Sequence, residues 1–308
     1  MVARLGMLRT VSRWTMVNGL GVHSVTAAPP AGGPPLVLVH GLGVSSRYLL
    51  PTARVLARHF EVHAVDLPGS GQSERPVQAL NLADAAQTLL RWMDAVRLER
   101  ASFLGNSMGC QVLLELAVAA PERVDRLVLA GPTVDPRWRS FARQVPRWLL
   151  ELFREPLSLL PILLRDYFTF GPLRFFTTAR FALSDTPEEK MPQVRAPTLV
   201  VRGERDAFVS DAWMERCAQL LPRATTATVR GAGHAVNYSA PAALARIVAP
   251  FLLPGAKMDD EWGVDRGERL ERPRDVAHLS PSQATTTTMC SVPRGTARRV
   301  GRVSTCDS

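Results

Sequence analysis

A chain of 308 residues is long enough to bury one substantial core or two modest ones. Apolar residues make up 46% and charged residues 21%, and no apolar run approaches the roughly 20 residues of a membrane span, so we expect no spanning helix. The net charge of +9 comes almost wholly from arginine, and no helix-turn-helix, RNA-binding or zinc-finger pattern accompanies it, which predicts no nucleic-acid partner.

The N-terminal residues and the cysteines bear on location and metal content. Residues 1–13 are basic but lack the apolar stretch of a signal peptide, which predicts a cytoplasmic protein. The cysteines lack the paired spacing of zinc ligands, so neither a metal site nor a disulfide framework is expected. They are Cys110, Cys217, Cys290 and Cys306.

Strand and helix patterns alternate through most of the chain. Residues 13–17 and 21–27 alternate apolar and polar side chains around Asn18-Gly19, which predicts an antiparallel hairpin. The later patterns predict a strand over 36–39, a helix over 47–59, a strand over 60–65, a helix over 82–96, strands over 101–104, 124–129 and 198–201, a helix over 211–221, a strand over 224–229 and a helix over 241–252. Such alternation is typical of a mostly parallel sheet covered by helices, with ligands beyond the carboxyl ends of the strands.

A serine follows the predicted strand over 101–104, in the stretch Gly105-Asn106-Ser107-Met108-Gly109. A helix is predicted directly afterwards, over 110–120. A serine on such a sharp turn adopts strained backbone angles that project its hydroxyl above the sheet, and flanking glycines avoid clashes with neighbouring chain. Ser107 is therefore the candidate nucleophile.

The strand pattern is missing between residues 132 and 195, where ten of the chain's 20 aromatic residues lie. We interpret residues 135–195 as a helical cap whose aromatic side chains form a small core and line a catalytic mouth. Most of its arginines are expected on solvated helix faces, with one available for a substrate carboxylate. Residues 1–134 and 196–254 would form the two parts of the main domain. Residues 255–308 lack apolar periodicity, which predicts a disordered tail.

A serine hydroxyl needs a base that takes its proton, and the base needs an acid that fixes its tautomer. Asp206 comes after the predicted strand over 198–201, and His234 comes after the predicted strand over 224–229. Both therefore belong at the sheet edge where Ser107 lies. Glu204 is the alternative acid.

Five features, in this order, resemble the α/β-hydrolase family over about residues 13–253. They are His40-Gly41-Leu42-Gly43, the segment Asp66-Leu67-Pro68-Gly69-Ser70-Gly71-Gln72-Ser73, the turn at Ser107, the Asp206 loop and the His234 loop. The resemblance implies an α/β fold with a mostly parallel eight-stranded sheet, helices on both faces and an inserted α-helical cap. It also implies that Ser107 attacks a carbonyl carbon, His234 moves the proton, and Asp206 orients the imidazole.

The resemblance also implies an oxyanion hole of backbone N–H groups. One donor is expected at Met108 and the other at Leu42, with Gly43 as the alternative, while His40 braces the loop. Residues expected to contact the substrate are Gly41, Gly43, Asn106, Trp138 and Trp148.

The expected reaction is hydrolysis of a carboxylic ester of a largely apolar small molecule through an acyl-enzyme, with no metal and no other cofactor. Serine at position 107 counts against dehalogenases and epoxide hydrolases of this fold, which use aspartate there. Carbon–carbon bond hydrolysis of a meta-cleavage dienoate is the alternative, although Cys110 stands where those enzymes usually have glycine. A non-catalytic ligand-binding protein of the same fold is a third interpretation. The sequence leaves the oligomeric state open.

Overall fold

The computed structural model of the chain describes residues 10–29 and 31–254. Its strands are β1 (Val11–Val17), β2 (Leu20–Ala27), β3 (Pro35–Val39), β4 (Glu61–Val65), β5 (Ala101–Asn106), β6 (Val124–Ala130), β7 (Thr198–Gly203) and β8 (Ala224–Val229). They form one eight-stranded sheet in the order β1-β2-β4-β3-β5-β6-β7-β8. Only the pairs β1–β2 and β2–β4 are antiparallel; the remaining pairs are parallel. The predicted α/β fold class, with its mostly parallel eight-stranded sheet, is confirmed.

Helices cover both faces of this sheet. They are α1 (Ser46–Leu56), α2 (Leu82–Ala95), α3 (Met108–Ala119), α4 (Phe141–Arg154), α5 (Leu160–Phe170), α6 (Pro172–Ser184), α7 (Pro187–Lys190), α8 (Asp211–Leu220), α9 (Val236–Ser239) and α10 (Pro241–Leu252). Alternate residues of β3 enter different cores: Val37 and Val39 pack with α2 and α3, whereas Leu36 and Leu38 pack with α1 and α10. Because both faces are buried, the strand is apolar throughout instead of alternating.

Several predicted boundaries are off by one to three residues. Strand β1 begins at Val11 instead of residue 13, and β7 continues to Gly203 instead of ending at 201. Helix α1 covers Ser46–Leu56 instead of 47–59, because the N–H groups of Ala57 and His59 close the last turn on carbonyls of Ala53 and Leu56. Helix α9 was not predictable from the sequence, because four residues are too few to show a helical period.

The segment Asp66–Ser73 acts as a structural clamp after β4. The Asp66 carboxylate accepts hydrogen bonds from His23 Nδ1 at 2.8 Å and from the N–H groups of Ser46 at 2.6 Å and Gln72 at 2.9 Å. Burial alone would raise the pKa of Asp66, but the His23 hydrogen bond and its other partners outweigh burial and lower it. Gly71 has a φ of +55°, and a Cβ there would lie 2.2 Å from Asp66 Oδ2, so only glycine fits.

Helices alone fill the region between β6 and β7, with α4, α5, α6 and α7 joined by short turns. Tyr167 of α5 and Phe175 of α6 reach the loop after β3, because a Cβ on Gly43 would lie 2.7 Å from the Tyr167 ring and 3.1 Å from the Phe175 ring. This region therefore lies above the carboxyl ends of the central strands. The prediction of a disordered tail over 255–308 falls outside the described residues.

None of the described helices combines the length and the apolarity that crossing a bilayer requires. Cys110 and Cys217 are both buried and unpaired. Burial raises the pKa of both thiols, so we assign them to packing.

Candidate active site

Ser107 lies on a sharp turn between β5 and α3. Its backbone angles, φ 56° and ψ −124°, are strained for a residue with a side chain. A Cβ on Gly105 would lie 2.8 Å from the carbonyl group of Gly109, and a Cβ on Gly109 would lie 2.4 Å from the Val39 carbonyl oxygen. The two glycines thus allow the strand, the helix and β3 to approach closely, and the turn holds the Ser107 side chain at the carboxyl edge of the sheet.

Asn106 has a different setting from the predicted one. The residue is 1% exposed, and its Oδ1 accepts a hydrogen bond from the Tyr48 hydroxyl at 3.0 Å. Its Nδ2 donates to the carbonyl oxygens of Ala130 and His234, each at 3.2 Å. Since both amide hydrogens are donated within the protein, we revise its role from substrate contact to joining the Ser107 turn to the His234 loop.

His234 and Asp206 form a pair at the same edge, with His234 Nδ1 2.9 Å from Asp206 Oδ2. The other oxygen, Asp206 Oδ1, accepts from the N–H groups of Phe208 at 2.8 Å and Val209 at 3.0 Å. These bonds fix the carboxylate, and the fixed carboxylate orients the imidazole. Gly131, with a φ of +60°, leaves room for both, because a Cβ there would lie 3.0 Å from the His234 ring.

The charge around His234 favours its protonated form. Burial alone would lower the pKa of His234, but the charge and hydrogen bond of Asp206 and the nearby carboxylates of Glu151 and Glu155 outweigh burial and raise it. The imidazolium is therefore stabilised next to Ser107, which suits a base that must hold a proton during a reaction.

The Ser107 turn and the His234 loop are neighbours, but Ser107 Oγ makes no hydrogen bond to His234 in the part of the chain that the structure describes. The Ser107 N–H donates to the Ala130 carbonyl at 3.0 Å, and Ala130 precedes Gly131, which abuts the His234 ring. His234 Nε2 has no partner among the described residues. Catalytic hydrogen bonds are often long in the absence of substrate.

The loop after β3 packs onto this turn, since a Cβ on Gly41 would lie 3.1 Å from Ser107 Cβ. His40 Nε2 accepts the Leu67 N–H at 3.0 Å, so Nδ1 carries the ring proton and donates to the Gly41 carbonyl at 2.8 Å. Burial lowers the pKa of His40, which keeps it neutral in this arrangement. In a planar trans peptide the Leu42 N–H points opposite to the Gly41 carbonyl, so His40 fixes the direction of that donor.

Met108 begins helix α3, so its N–H has no acceptor within the helix. The Leu42 N–H likewise donates to no protein acceptor among the residues that the structure covers. Two backbone donors thus lie on the two segments that flank Ser107, and Gly43 stands one residue further along.

The two predicted tryptophans occupy different places. The Trp148 ring lies 5.6 Å from the Tyr167 ring and 6.2 Å from the Phe175 ring, so it belongs to the aromatic cluster above Gly43. Trp138 instead stacks under the Arg147 guanidinium, 3.4 Å from the ring centroid. Trp148 therefore packs with the rings above Gly43, whereas Trp138 packs against α4.

Two glutamates of α4 and its C-terminus reach the His234 loop, and sequence reasoning missed both. Glu151 accepts the N–H groups of Ala207 at 2.5 Å and His234 at 3.0 Å, and Glu155 accepts the Ala235 N–H at 2.7 Å. Their spacing of four residues places both carboxyl groups on one helix face. The same four-residue spacing occurs on buried and on solvated helix faces, so it does not predict that these glutamates turn inward.

Glu155 carries a destabilising charge at neutral pH. Burial, with a smaller contribution from Glu151, raises the pKa of Glu155 from 4.5 to about 7. The folded protein therefore binds a proton that the unfolded chain releases between these values, so stability falls as pH rises through this window.

We expect Glu155→Gln to increase the free energy of unfolding by about 2 to 3 kcal/mol at pH 8, since glutamine keeps an acceptor for Ala235 without the charge. The gain should vanish near pH 4.5. Denaturant unfolding at both pH values measures it. Glu122→Gln, at an exposed glutamate, is the matched control and should change neither value. An equal gain at both pH values would show that charge is not the cause.

Comparisons with known proteins identify the family of the chain. The sequence profile of the Alpha/beta hydrolase family matches residues 36–247. The chain is 29% identical to esterase YbfF of Escherichia coli K12 over 76% of this chain and 98% of the relative, and 26% identical to carboxylesterase YbfK of Bacillus subtilis 168 over 77% and 86%. The solved structure of the 2-hydroxy-6-oxo-6-phenylhexa-2,4-dienoate hydrolase of Rhodococcus sp. RHA1 superimposes with a TM-score of 0.63 at 22% identity, covering 78% of this chain and 98% of that one.

The chain belongs to the alpha/beta hydrolase family, and it is an enzyme of the hydrolase class. Within residues 10–29 and 31–254, no group of three or more His, Cys, Asp or Glu side chains could hold a metal ion.

Proposed function

We propose that this protein hydrolyses carboxylic esters of largely apolar small molecules through an acyl-enzyme. Ser107 is the nucleophile, His234 the general base and acid, and Asp206 the orienting carboxylate. The observation that carries the proposal is the 2.9 Å contact between His234 Nδ1 and Asp206 Oδ2 at the sheet edge where Ser107 occupies its strained turn. The relatives named as esterases support the bond type.

In this mechanism His234 Nε2 takes the hydroxyl proton as Ser107 Oγ attacks the ester carbonyl carbon. The tetrahedral intermediate expels the alcohol, which receives that proton, and a water molecule then releases the acid by the same route. The N–H groups of Leu42 and Met108 stabilise the oxyanion, and one such donor is typically worth about a hundredfold or more in rate.

Residues 135–195 act as the cap in this proposal, with the cluster of Trp148, Tyr167 and Phe175 above Gly43 as its apolar lining. Gly41 and Gly43, on the loop after β3, stay the predicted substrate contacts of this site. The cytoplasmic location stays a prediction.

The direct test is labelling with a fluorophosphonate, which reacts with activated serines. We expect labelling at Ser107, mapped by mass spectrometry of the digested protein, together with turnover of short-chain nitrophenyl esters. An unlabelled protein that turns over no ester would support the non-catalytic ligand-binding interpretation instead.

One observation favours a second candidate, carbon–carbon bond hydrolysis of an acidic dienoate. Arg174 of α6 borders a cavity of about 30 Å³ that Met108 and Phe170 also line. Within the described residues it has no acidic partner and donates to the Pro76 carbonyl at 2.7 Å, so it could bind a substrate carboxylate. Assaying a meta-cleavage dienoate beside the esters decides between the two reactions, since the preferred substrate has the higher kcat/KM.

A further inference from the structure

Helix α4 is turned inside out relative to an ordinary surface helix. Its inward positions, three or four residues apart, are polar: Gln144, Arg147 and Glu151, followed by Glu155 just beyond the helix. Glu151 is only 5% exposed, whereas Phe153 is 85% exposed. A surface helix in water normally buries its apolar stripe and exposes its polar one. The outward side of α4 is therefore better suited to contact with an apolar environment than to contact with water.

The apolar exposure continues over the neighbouring helices. Thirteen of the 17 large apolar side chains that are exposed in the described residues lie between 141 and 176. We call this surface the outer cap face; its most exposed members are Phe153, Leu157, Leu164, Phe168, Leu173 and Phe176. Rings of Phe141 in α4 and Phe176 in α6 lie 6.0 Å apart, so the exposed sides of these helices adjoin. Apolar surface concentrated in this way marks an interaction site.

Charge on the outer cap face has one sign. The three acidic residues of the stretch 141–184 turn inward: Glu151 and Asp166 are buried, and Glu155 is half-buried. Arg143, Arg154, Arg165 and Arg180 are all exposed. The partner must therefore combine an apolar interior with negative charge at its boundary.

We propose that the outer cap face docks on an anionic lipid surface. Leucine and phenylalanine side chains would enter the boundary between head groups and acyl chains, while the arginines bind the phosphate groups above them. A second copy of this chain fits less well, because a symmetric interface would bring the cationic face against itself. This docking is an interaction in its own right and does not depend on the proposed ester hydrolysis.

The docked face also leads toward the active site. Trp148, which is 45% exposed, contacts Tyr167 and Phe175, and these two rings reach Gly43, two residues along the loop from Gly41, which abuts Ser107. An apolar molecule that leaves the lipid surface would then reach the site along a path lined by these aromatic rings.

The test uses the full chain in flotation with vesicles of phosphatidylcholine alone and of phosphatidylcholine with phosphatidylglycerol. We expect binding to the anionic vesicles, weakened by salt. Phe153→Ser/Leu157→Ser should lower the partition coefficient at least tenfold, as roughly expected for two buried apolar side chains. Arg165→Gln/Arg180→Gln should lower it about 25-fold, at about fivefold per cation.

Matched controls lie outside the outer cap face. Val77→Ser removes a fully exposed apolar side chain, and Arg91→Gln/Arg223→Gln removes the same charge at exposed positions; both should bind as the unchanged protein does. Failure of the unchanged protein to float with anionic vesicles would overturn the proposal. So would equal losses in the control variants, or a stable dimer in sedimentation that Phe153→Ser/Leu157→Ser dissociates.

Discussion

Ser107→Ala is expected to lower kcat for ester hydrolysis by about 10⁵- to 10⁶-fold, as loss of the nucleophile does in serine hydrolases with a complete triad. The turn holds the hydroxyl at the edge of the sheet where His234 and Asp206 pair, and alanine at this position has no atom that can act as the nucleophile. The rate that remains would come from the oxyanion donors and from binding. Steady-state kinetics with nitrophenyl esters measure the loss, and residual activity within tenfold of the unchanged enzyme would exclude Ser107 as the nucleophile.

Ser107→Gly is the companion variant, since it separates catalysis from strain. Both variants lack the hydroxyl and should be equally inactive. Glycine, however, adopts φ 56° and ψ −124° without a side-chain clash, so Ser107→Gly should be more stable than Ser107→Ala by about 1 kcal/mol. Denaturant unfolding of the two variants measures the difference. An alanine variant as stable as the glycine variant would show that this turn stores no strain.

The sheet is the part of the fold that sequence reasoning predicts best, for a physical reason. A strand buried on both faces must be apolar at every position, so runs such as Leu36–Val39 stand out from the polar chain around them. Strand ends are less distinct, because Gly203 pairs with Val229 and extends β7 although glycine carries no side-chain pattern. Boundaries therefore shift by one or two residues while the topology follows the predicted order.

The positions of the three proposed catalytic residues were predictable from the sequence, because each depends only on the strand that precedes it. Turns after β5, β7 and β8 lie at the same sheet edge, so the strand pattern alone brings Ser107, Asp206 and His234 together. The sequence does not show how the partners of the two acids in this loop differ: Glu204 accepts the Gly231 N–H at 2.8 Å, while Asp206 faces the imidazole.

Contacts across long stretches of sequence were not predictable. Glu151 accepts a hydrogen bond from the His234 N–H, although the two residues are 83 positions apart in the sequence. Asn106 donates to the His234 carbonyl, 128 positions away. A glutamate turned inward and a glutamate in solvent have the same local sequence signal, so only the packing of α4 distinguishes them. The inverted orientation of α4 was not predictable for the same reason, since its sequence does not show which side of the helix faces the protein.

Asp206→Asn is expected to lower kcat for ester hydrolysis by about 10⁴-fold with the fold intact. Asp206 Oδ1 accepts the N–H groups of Phe208 and Val209, so the asparagine oxygen should stay there. Its amide nitrogen would then face His234 Nδ1 and donate to it, which places the ring proton on Nε2. In that tautomer His234 cannot accept the Ser107 proton. Steady-state kinetics on nitrophenyl esters, with a melting temperature for each variant, test this result.

Glu204→Gln is the matched control for that variant. Its side chain lies two residues away, and glutamine can still accept the Gly231 N–H, so kcat should stay within about twofold of the unchanged enzyme because surface changes of this kind are nearly neutral. The reverse result, in which Glu204→Gln loses activity and Asp206→Asn keeps it, would assign the orienting carboxylate to Glu204. Equal losses in both would mean that the loop as a whole, and not one carboxylate, positions His234.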